Sequence, residues 1–291
     1  MSLDYELLRS WLFVAASDDV ALQAAGQSGT DVAIAEFEDF TPPDLRPKAR
    51  AMLPEALQAW RQAGIVSAVR INPLWTDDGP VDLAAALDAG AQIVAFPKTR
   101  GPEDIRQVEA SIAAHPNGAG VDLLPNIESA SALVQTMAIA QASGRVKACL
   151  VASEDMAMDL QAIRSRDGAA LRYVRERFLV DCRATDVLPV DCPYTWTDTD
   201  GLVDEARNAR RLGYTAKSAV HADHARLINE VMTPSAADIA DAKAVIAAFD
   251  AARAQGKDRA LVDGHAVEAP TRANATRLLD RARRLGIAEA G

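Results

Sequence analysis

The chain has 291 residues, 49% of them apolar, and its 41 acidic residues outnumber its 31 Lys and Arg to give a formal net charge of −10. This length fits one large α/β barrel or two domains of ordinary size, and the apolar fraction excludes a disordered chain. An acidic chain without a basic run is also not expected to bind nucleic acid or an anionic membrane.

Eight short β-rich runs alternate along the chain with longer helical patterns. The runs are Trp11–Val14, Val32–Glu38, Val66–Asn72, Gln92–Phe96, Leu123–Ile127, Cys149–Ala152, Leu188–Cys192 and Ser218–His221. Helices are predicted between them, for example at Pro47–Ala63, Glu103–Ala114, Ser129–Ala142, Ala169–Thr185 and Asp200–Leu212. Several helices end at a glycine where a left-handed cap is expected, namely Gly64, Gly144 and Gly213.

Repeated β-then-α units indicate parallel strands that are joined by right-handed crossovers. Eight units within roughly 220 residues fit a (β/α)8 TIM barrel better than an open doubly wound sheet. No Gly-x-Gly-x-x-Gly sequence follows any of the runs, which further disfavours a dinucleotide-binding sheet. We therefore predict an α/β fold in which residues 1–232 form a (β/α)8 barrel.

The remaining residues, 233–291, are predicted to form a C-terminal helical extension. Ser235 and Asp238 have the spacing of a capping box at the start of a helix over Ser235–Ala254. Asp263-Gly264 is a turn signal between short extended pieces, and a last helix is expected at Thr271–Leu285. This segment is too short to be a secure independent domain, so we expect it to pack on the barrel or on a neighbouring subunit.

The cysteines and the chain's apolar stretches indicate a cytoplasmic protein. Cys149, Cys182 and Cys192 are odd in number and form no Cys-x-x-Cys pair, which argues against a disulfide framework. The apolar stretches fall short of the roughly 20 residues that a membrane span requires. Residues 1–10 lack a basic segment followed by an apolar one, so no signal peptide is expected.

Polar residues gather where the predicted strands end, and in a barrel of this kind chemistry takes place at the carboxyl ends of the strands. These residues are Glu36, Glu38, Asp39, Arg70, Asn72, Lys98, Glu128, Glu154, Asp155 and His221. Glu128 and Asp155 follow adjacent strands, so their carboxylates can converge as two ligands of Mg²⁺, which retains water or substrate at its other positions. The alternative is that both residues only cap the helices that follow.

Arg70 lies in an otherwise apolar strand and leaves two interpretations open. Its planar guanidinium suits a substrate carboxylate, or it forms a structural ion pair with Glu36 or Glu38. The two roles are compatible. Glu36 and Glu38 alternate onto one face of their strand, so both are expected to point toward the barrel interior. Lys98 lies beside several carboxylates and is expected to be paired and charged rather than to form a Schiff base.

Several short motifs follow one another along the chain in an order that resembles one family. The chain is similar to the citrate lyase β-subunit-like branch of the HpcH/HpaI aldolase superfamily, which includes malyl-CoA and citramalyl-CoA lyases. The resemblance runs through Arg9–Val14, Glu38–Asp39, Val69–Pro73, Phe96–Lys98, Pro125–Ser129, Ser153–Leu160, Arg207–Gly213 and Asn229–Ser235.

The resemblance implies a (β/α)8 barrel with a C-terminal extension, assembled as a homotrimer or a dimer of trimers. It implies that Glu128 and Asp155 hold Mg²⁺, with Mn²⁺ as a substitute, and that Arg70 holds the substrate carboxylate. A 2-oxo acid and an acyl-CoA are the implied reactants. Glu38 and Asp39 are then expected to take part in catalysis, and Ser153 and Glu154 to bind substrate.

The chain departs from the family pattern at several positions. In the family an aspartate of the C-terminal extension, which reaches into a neighbouring subunit, exchanges a proton with the acyl-CoA; here the matching residue is Glu268. Ala15-Ala16 replaces the usual Pro-Gly after strand 1, Ala152-Ser153 replaces Gly-Ala, and Ala222 replaces the proline after His221.

Three hypotheses follow. The first is a Mg²⁺-dependent carbon–carbon lyase that acts on a 3-hydroxy-acyl-CoA, using Arg70, Glu128, Asp155 and Glu268. The second is a CoA-independent 4-hydroxy-2-oxo-acid aldolase. The third is a non-catalytic paralogue that binds a metal and a 2-oxo acid, motivated by the substitutions at Glu268, Ala15-Ala16 and Ser153.

Overall fold

The computed structural model describes residues 3–287. It confirms the predicted (β/α)8 barrel, because eight parallel strands close on one another in chain order. The strands are β1 Ser10–Ala15, β2 Val32–Glu36, β3 Val66–Arg70, β4 Ile93–Phe96, β5 Asp122–Ile127, β6 Ala148–Val151, β7 Leu188–Asp191 and β8 Ala216–Ala219. Each of the eight predicted β-rich runs therefore overlaps a strand, although the ends differ by up to two residues.

The helices that cover the barrel follow the strands in alternation. They are α1 Asp19–Gln27, α2 Arg46–Gln62, α3 Asp78–Asp88, α4 Pro102–Ala114, α5 Ala130–Leu133, α6 Thr136–Ala140, α7 Glu154–Asp159, α8 Arg172–Arg183, α9 Thr199–Leu212 and α10 His224–Met232. None of the helices between residues 3 and 287 is long and apolar enough to cross a membrane.

The helix predicted over 129–142 is wrong in one respect, because the chain forms two short helices there. The hydroxyl of Thr136 donates a hydrogen bond to the carbonyl of Leu133 at 2.8 Å, and such a bond competes with the helical pattern. Gly64 and Gly213 have positive φ angles of 77° and 114°, as expected of left-handed caps. Gly144 is not among the residues with positive φ, so that prediction is wrong.

Side chains alternate between the barrel interior and the layer below the helices. On β2, Val32 and Ile34 belong to the interior cluster, whereas Ala33 and Ala35 pack against helical residues. The same alternation carries Glu36 into the interior at the carboxyl end of β2. Polar groups at this end of the barrel therefore face one another.

Between the barrel and its helices lies a buried network of four charged side chains. Lys217 of β8 lies 2.8 Å from the carboxylate of Asp191 and 2.9 Å from that of Glu205. Arg175 of α8 forms two hydrogen bonds to Asp191, at 2.8 and 2.7 Å. Two cations and two carboxylates neutralise one another, so the charges are tolerated out of contact with water.

Replacing Lys217 with Met is expected to lower the free energy of unfolding by about 3–5 kcal/mol, because it leaves two buried carboxylates with a single cation, Arg175. The measurement is urea denaturation of the purified protein. Lys48→Met is the control, since Lys48 is exposed and surface changes usually stay within about 0.5 kcal/mol. Equal stability of the two variants would contradict a structural role for the network.

The chain divides into two compact units between Met232 and Thr233. In the second unit, α11 spans Ala236–Ala254, β9 Ala260–Val262, β10 His265–Val267 and α12 Ala269–Arg284. The capping box of Ser235 and Asp238 is present. Asp263 and Gly264, with φ of 49° and 77°, turn the chain between the antiparallel strands β9 and β10. The packing of the second unit on the barrel or on a neighbouring subunit stays a prediction.

Candidate active site

The turn after β2 is organised around the carboxylate of Glu36. This side chain is fully buried. It accepts hydrogen bonds from the backbone N–H groups of Glu38 at 2.5 Å, Asp39 at 3.2 Å and Phe40 at 2.5 Å. Glu36 thus has a structural role, and the turn that it holds directs Glu38 and Asp39 to the mouth of the barrel.

Arg70 lies at the end of β3 in the middle of the acidic residues. Its Nε donates to Glu36 at 2.8 Å. Its terminal nitrogens lie 3.7 Å from Glu38, 3.6 Å from Asp39 and 3.9 Å from Glu128, beyond good hydrogen-bond distance. Burial acts to lower the pKa of Arg70, but the charges of Glu36, Glu38 and Glu128 outweigh burial and raise it. The predicted structural pair is present, and two nitrogens remain for a ligand.

Two aromatic rings flank the guanidinium of Arg70. Its central carbon lies 5.1 Å from the centre of the Phe13 ring and 5.7 Å from that of the Phe40 ring. Contacts of this kind hold a guanidinium in place through the negative face of the ring. Arg70 is therefore fixed before any ligand binds.

Lys98 follows β4 and is paired with Glu38 and Asp39. Burial acts to lower the pKa of Lys98, but the hydrogen bond and the charge of Glu38 outweigh burial and raise it. A permanently charged amine is a poor nucleophile, which agrees with the expectation that Lys98 is paired rather than a Schiff-base residue. Burial raises the pKa of Glu38, although Arg70 and Lys98 oppose it.

Glu128, at the end of β5, is held through both carboxylate oxygens. Oε2 accepts the backbone N–H of Lys98 at 3.0 Å, and Oε1 accepts Nδ2 of Asn126 at 3.2 Å. Lys98 has a left-handed backbone, with φ of 49°, which costs a non-glycine residue on the order of 1 kcal/mol. Burial raises the pKa of Glu128 to about 7 against the opposing charge of Arg70.

Asp155 lies in the first turn of α7 and shares a pocket with Glu128. The pocket has a volume of about 220 Å³ and is lined by Lys98, Arg100, Glu128, Ser129, Asp155, Met158 and Asp159. The charge of Asp155 contributes to the raised pKa of Glu128. The structure thus brings together the two carboxylates that the sequence singled out.

The other polar residues predicted at the strand ends, and Glu268, lie in different environments. Ser153 is buried at the start of α7. Glu154 is turned toward the loop residues Arg164 and Thr195, at 2.7 and 3.0 Å. Asn72 is bound to Asp82 and to the carbonyl of Phe37 and therefore supports the fold. In the second unit, Glu268 is exposed at the start of α12. The roles of Ser153, Glu154 and Glu268 in binding and catalysis stay predictions.

The donor set at the mouth fits Mg²⁺. Hard carboxylate oxygens converge there, and three buried polar atoms at the ends of β2, β5 and β6 have no hydrogen-bond partner among the described residues: Oε2 of Glu38, Oδ1 of Asn126 and Oγ of Ser153. Within residues 3–287, no three His, Cys, Asp or Glu side chains group closely enough to hold a metal alone. A pair of carboxylates completed by water and substrate is the arrangement that Mg²⁺ accepts.

Sequence reasoning missed Asn126, Phe13 and Phe40. Asn126 interrupts the apolar run of β5 two residues before Glu128 and hence on the same face of the strand. That spacing was a usable signal. Phe13 and Phe40 gave none, because an aromatic residue beside a strand end is more often part of the core.

The fold and the site together define a class of protein: a (β/α)8 barrel enzyme with an arginine and several carboxylates at one mouth of the barrel. The sequence profile of the HpcH/HpaI aldolase/citrate lyase family matches residues 9–222. The chain belongs to this family, as its motifs indicated, and is a carbon–carbon lyase.

Individual relatives match over nearly the whole chain. The citrate lyase subunit beta of Haemophilus influenzae is 29% identical over 284 residues, which cover 96% of this chain and 98% of the relative. The (3S)-malyl-CoA thioesterase of Cereibacter sphaeroides is 30% identical over 267 residues and 89% of both chains. The crystal structure of CitE from Mycobacterium tuberculosis with magnesium, acetoacetate and coenzyme A has a TM-score of 0.79 at 25% identity and covers 94% of this chain and 98% of its own.

Proposed function

We propose that the chain is a Mg²⁺-dependent lyase that cleaves, or forms, a 3-hydroxy-acyl-CoA such as malyl-CoA or citramalyl-CoA. The products of cleavage are a 2-oxo acid and an acyl-CoA. The observation that carries the proposal is the placement of Arg70 beside the Glu128–Asp155 pair at one mouth of the barrel. A 2-oxo acid needs a cation for its carboxylate and a Lewis acid for its carbonyl, and this site has residues for both.

The residues of the chain divide the reaction among them. Bound Mg²⁺ would supply Lewis-acid stabilisation of oxyanion charge. Arg70 binds the carboxylate of the substrate through its two free terminal nitrogens, while its Nε stays on Glu36. Glu38 has a raised pKa and takes the hydroxyl proton as the carbon–carbon bond breaks. Lys98 holds the carboxylate of Glu38 in position, and Asp39 pairs in turn with Lys98.

The bond electrons pass to the thioester fragment, whose α-carbon then needs a proton. We assign this proton to Glu268, which replaces the family's aspartate and keeps a carboxyl group one methylene further from the backbone. Glu268 is exposed in the second unit, so it is open to another molecule. The proposal includes assembly as a homotrimer or a dimer of trimers in the cytoplasm. In this assembly, Glu268 of one subunit acts in the barrel of a neighbouring subunit.

The use of CoA rests on relatives rather than on a contact in this chain. The Cereibacter relative is named for malyl-CoA, and the Mycobacterium structure holds coenzyme A with magnesium. The second candidate is a CoA-independent aldolase for 4-hydroxy-2-oxo acids. The third candidate is a paralogue that binds a metal and a 2-oxo acid without catalysis.

Cleavage of CoA esters tests the lyase proposal, and a separate assay with pyruvate and an aldehyde tests the aldolase. Malyl-CoA and citramalyl-CoA are incubated with the protein and Mg²⁺, and the 2-oxo acid, acetyl-CoA and free thiol are followed together. We expect glyoxylate or pyruvate to appear in step with acetyl-CoA, to stop with EDTA, and to fall about 100-fold or more in Glu268→Gln because a general acid is lost. The exposed Glu230→Gln is the control.

The products identify the alternatives. Free thiol without a 2-oxo acid indicates hydrolysis, the reaction for which the Cereibacter relative is named. Activity with pyruvate and an aldehyde, unaffected by CoA, indicates the aldolase. If neither CoA ester is converted, the lyase proposal is wrong.

A further inference from the structure

Asn126 lies in the interior of the barrel, two residues before Glu128 on β5. It is fully buried, and it is flanked along the strand by apolar residues. Placing an amide in this position has a cost unless its polar atoms are bonded. The role of Asn126 therefore depends on the groups that its amide nitrogen and amide oxygen contact.

The amide nitrogen of Asn126 orients Glu128. Nδ2 donates to Oε1 at 3.2 Å, while the backbone N–H of Lys98 donates to Oε2 at 3.0 Å. The two bonds hold the carboxylate from two separate strand ends and fix its plane. The opposite orientation of the amide would set Oδ1 against a carboxylate oxygen, so the bond to Glu128 also determines which atom is the nitrogen.

The amide oxygen of Asn126 has no hydrogen-bond partner among the described residues, although it is buried. A buried acceptor without a donor destabilises the fold, and such atoms in native proteins commonly bond to a water molecule or an ion's hydration shell. The neighbouring pocket with Glu128 and Asp155 is where ligand water would be held. The donor to Oδ1 is thus expected to be a water molecule held in the site rather than a protein group.

We infer that Asn126 is a positioning residue of the metal site: its Nδ2 fixes Glu128, and its Oδ1 would accept a hydrogen bond from water held in the site when Mg²⁺ is bound. This inference rests on the proposed metal site. Partners behind a metal ligand set its direction and basicity, and their loss commonly weakens metal binding by about 10–100-fold.

The test measures Mn²⁺ binding and stability separately. Mn²⁺ affinity is determined by electron paramagnetic resonance, and the thermal midpoint is measured without metal, for the wild type, Asn126→Leu and Asn126→Ala. Leu has the same number of side-chain heavy atoms as Asn, with the same branching at Cγ, and removes the unpartnered acceptor. We expect about 10-fold or greater loss of Mn²⁺ affinity in Asn126→Leu, with an unchanged or higher midpoint.

Asn72→Leu is the matched control, because Asn72 is also a buried amide at a strand end but has its bonds within the fold. The opposite pattern is expected there: a lower midpoint and Mn²⁺ affinity within about 3-fold of the wild type. Asn126→Ala keeps the test valid if the leucine variant does not fold, since a smaller side chain avoids a clash.

The outcomes separate the two levels of the argument. Wild-type protein that fails to bind Mn²⁺ overturns the metal site and with it the role of Asn126. Wild-type binding with unchanged affinity in both Asn126 variants overturns the role of Asn126 alone. Lowered stability with unchanged affinity would show that Asn126 serves only the fold.

Discussion

Replacing Glu128 with Gln is expected to lower kcat/KM of the lyase reaction by about 10³-fold and to weaken Mn²⁺ binding by about 100-fold or more. The amide keeps the size of the side chain and removes one of the two carboxylate charges in the pocket. A metal ion contributes several kcal/mol to the stabilisation of oxyanion charge, and about 4 kcal/mol corresponds to this loss of rate. Product formation and Mn²⁺ titration measure the two effects.

Stability is expected to move in the other direction. Burial raises the pKa of Glu128 to about 7, so the metal-free fold holds this carboxylate at a cost that a neutral amide avoids. Glu205→Gln is the matched control, because Glu205 is equally buried but pairs with Lys217 away from the pocket. We expect the control to lose stability and to keep Mn²⁺ affinity. Equal Mn²⁺ affinity of Glu128→Gln and the wild type would contradict the assignment of Glu128 as a ligand.

The barrel was predictable because each strand is short, rich in β-branched or small apolar residues and separated from the next by a helical pattern. The register of these strands follows from the alternation of side chains, as on β2, where Val32 and Ile34 point inward. The exact ends of the strands were harder to predict from the sequence. β2 ends at Glu36 rather than at Glu38, because the carboxylate of Glu36 captures the backbone N–H groups that follow it.

The site was predictable only as a set of residues at strand ends. That Glu128 and Asp155 share a pocket follows from their position just after the adjacent strands β5 and β6, which the sequence order already contains. The division of labour among the acids does not follow, because Glu36 and Glu38 are two residues apart and both were predicted to lie on one strand. The structure makes Glu36 a turn anchor and leaves Glu38 with a raised pKa.

Features that depend on several elements at once had no local signal. Lys98 has a left-handed backbone while its amide bonds to Glu128 and its side chain pairs with Glu38, residues that follow two other strands. The pairing of Lys217 with Asp191 and Glu205 likewise joins residues that are up to 26 positions apart. Such contacts are set by packing and not by the pattern of any one segment.

Arg70→Lys is expected to reduce kcat/KM by about 10³-fold, mostly through a higher KM, while the protein stays folded. Lysine keeps the positive charge among the carboxylates but lacks the fork that binds a carboxylate through two parallel hydrogen bonds. Glu36 loses the bond from Nε at 2.8 Å and retains its three backbone donors, so the turn after β2 is preserved. Steady-state kinetics with varied 2-oxo acid in the condensation direction measures this effect.

Arg175→Lys tests whether the loss belongs to the site or to any buried arginine. Arg175 is as buried as Arg70 and binds Asp191 with two bonds, but it lies between the barrel and its helices. The control should therefore unfold at a lower urea concentration and keep its KM, since its bidentate pair supports the fold. We thus expect a raised KM in Arg70→Lys and a lowered stability in Arg175→Lys. A raised KM in both variants would contradict the assignment of Arg70 as the residue that binds the substrate carboxylate.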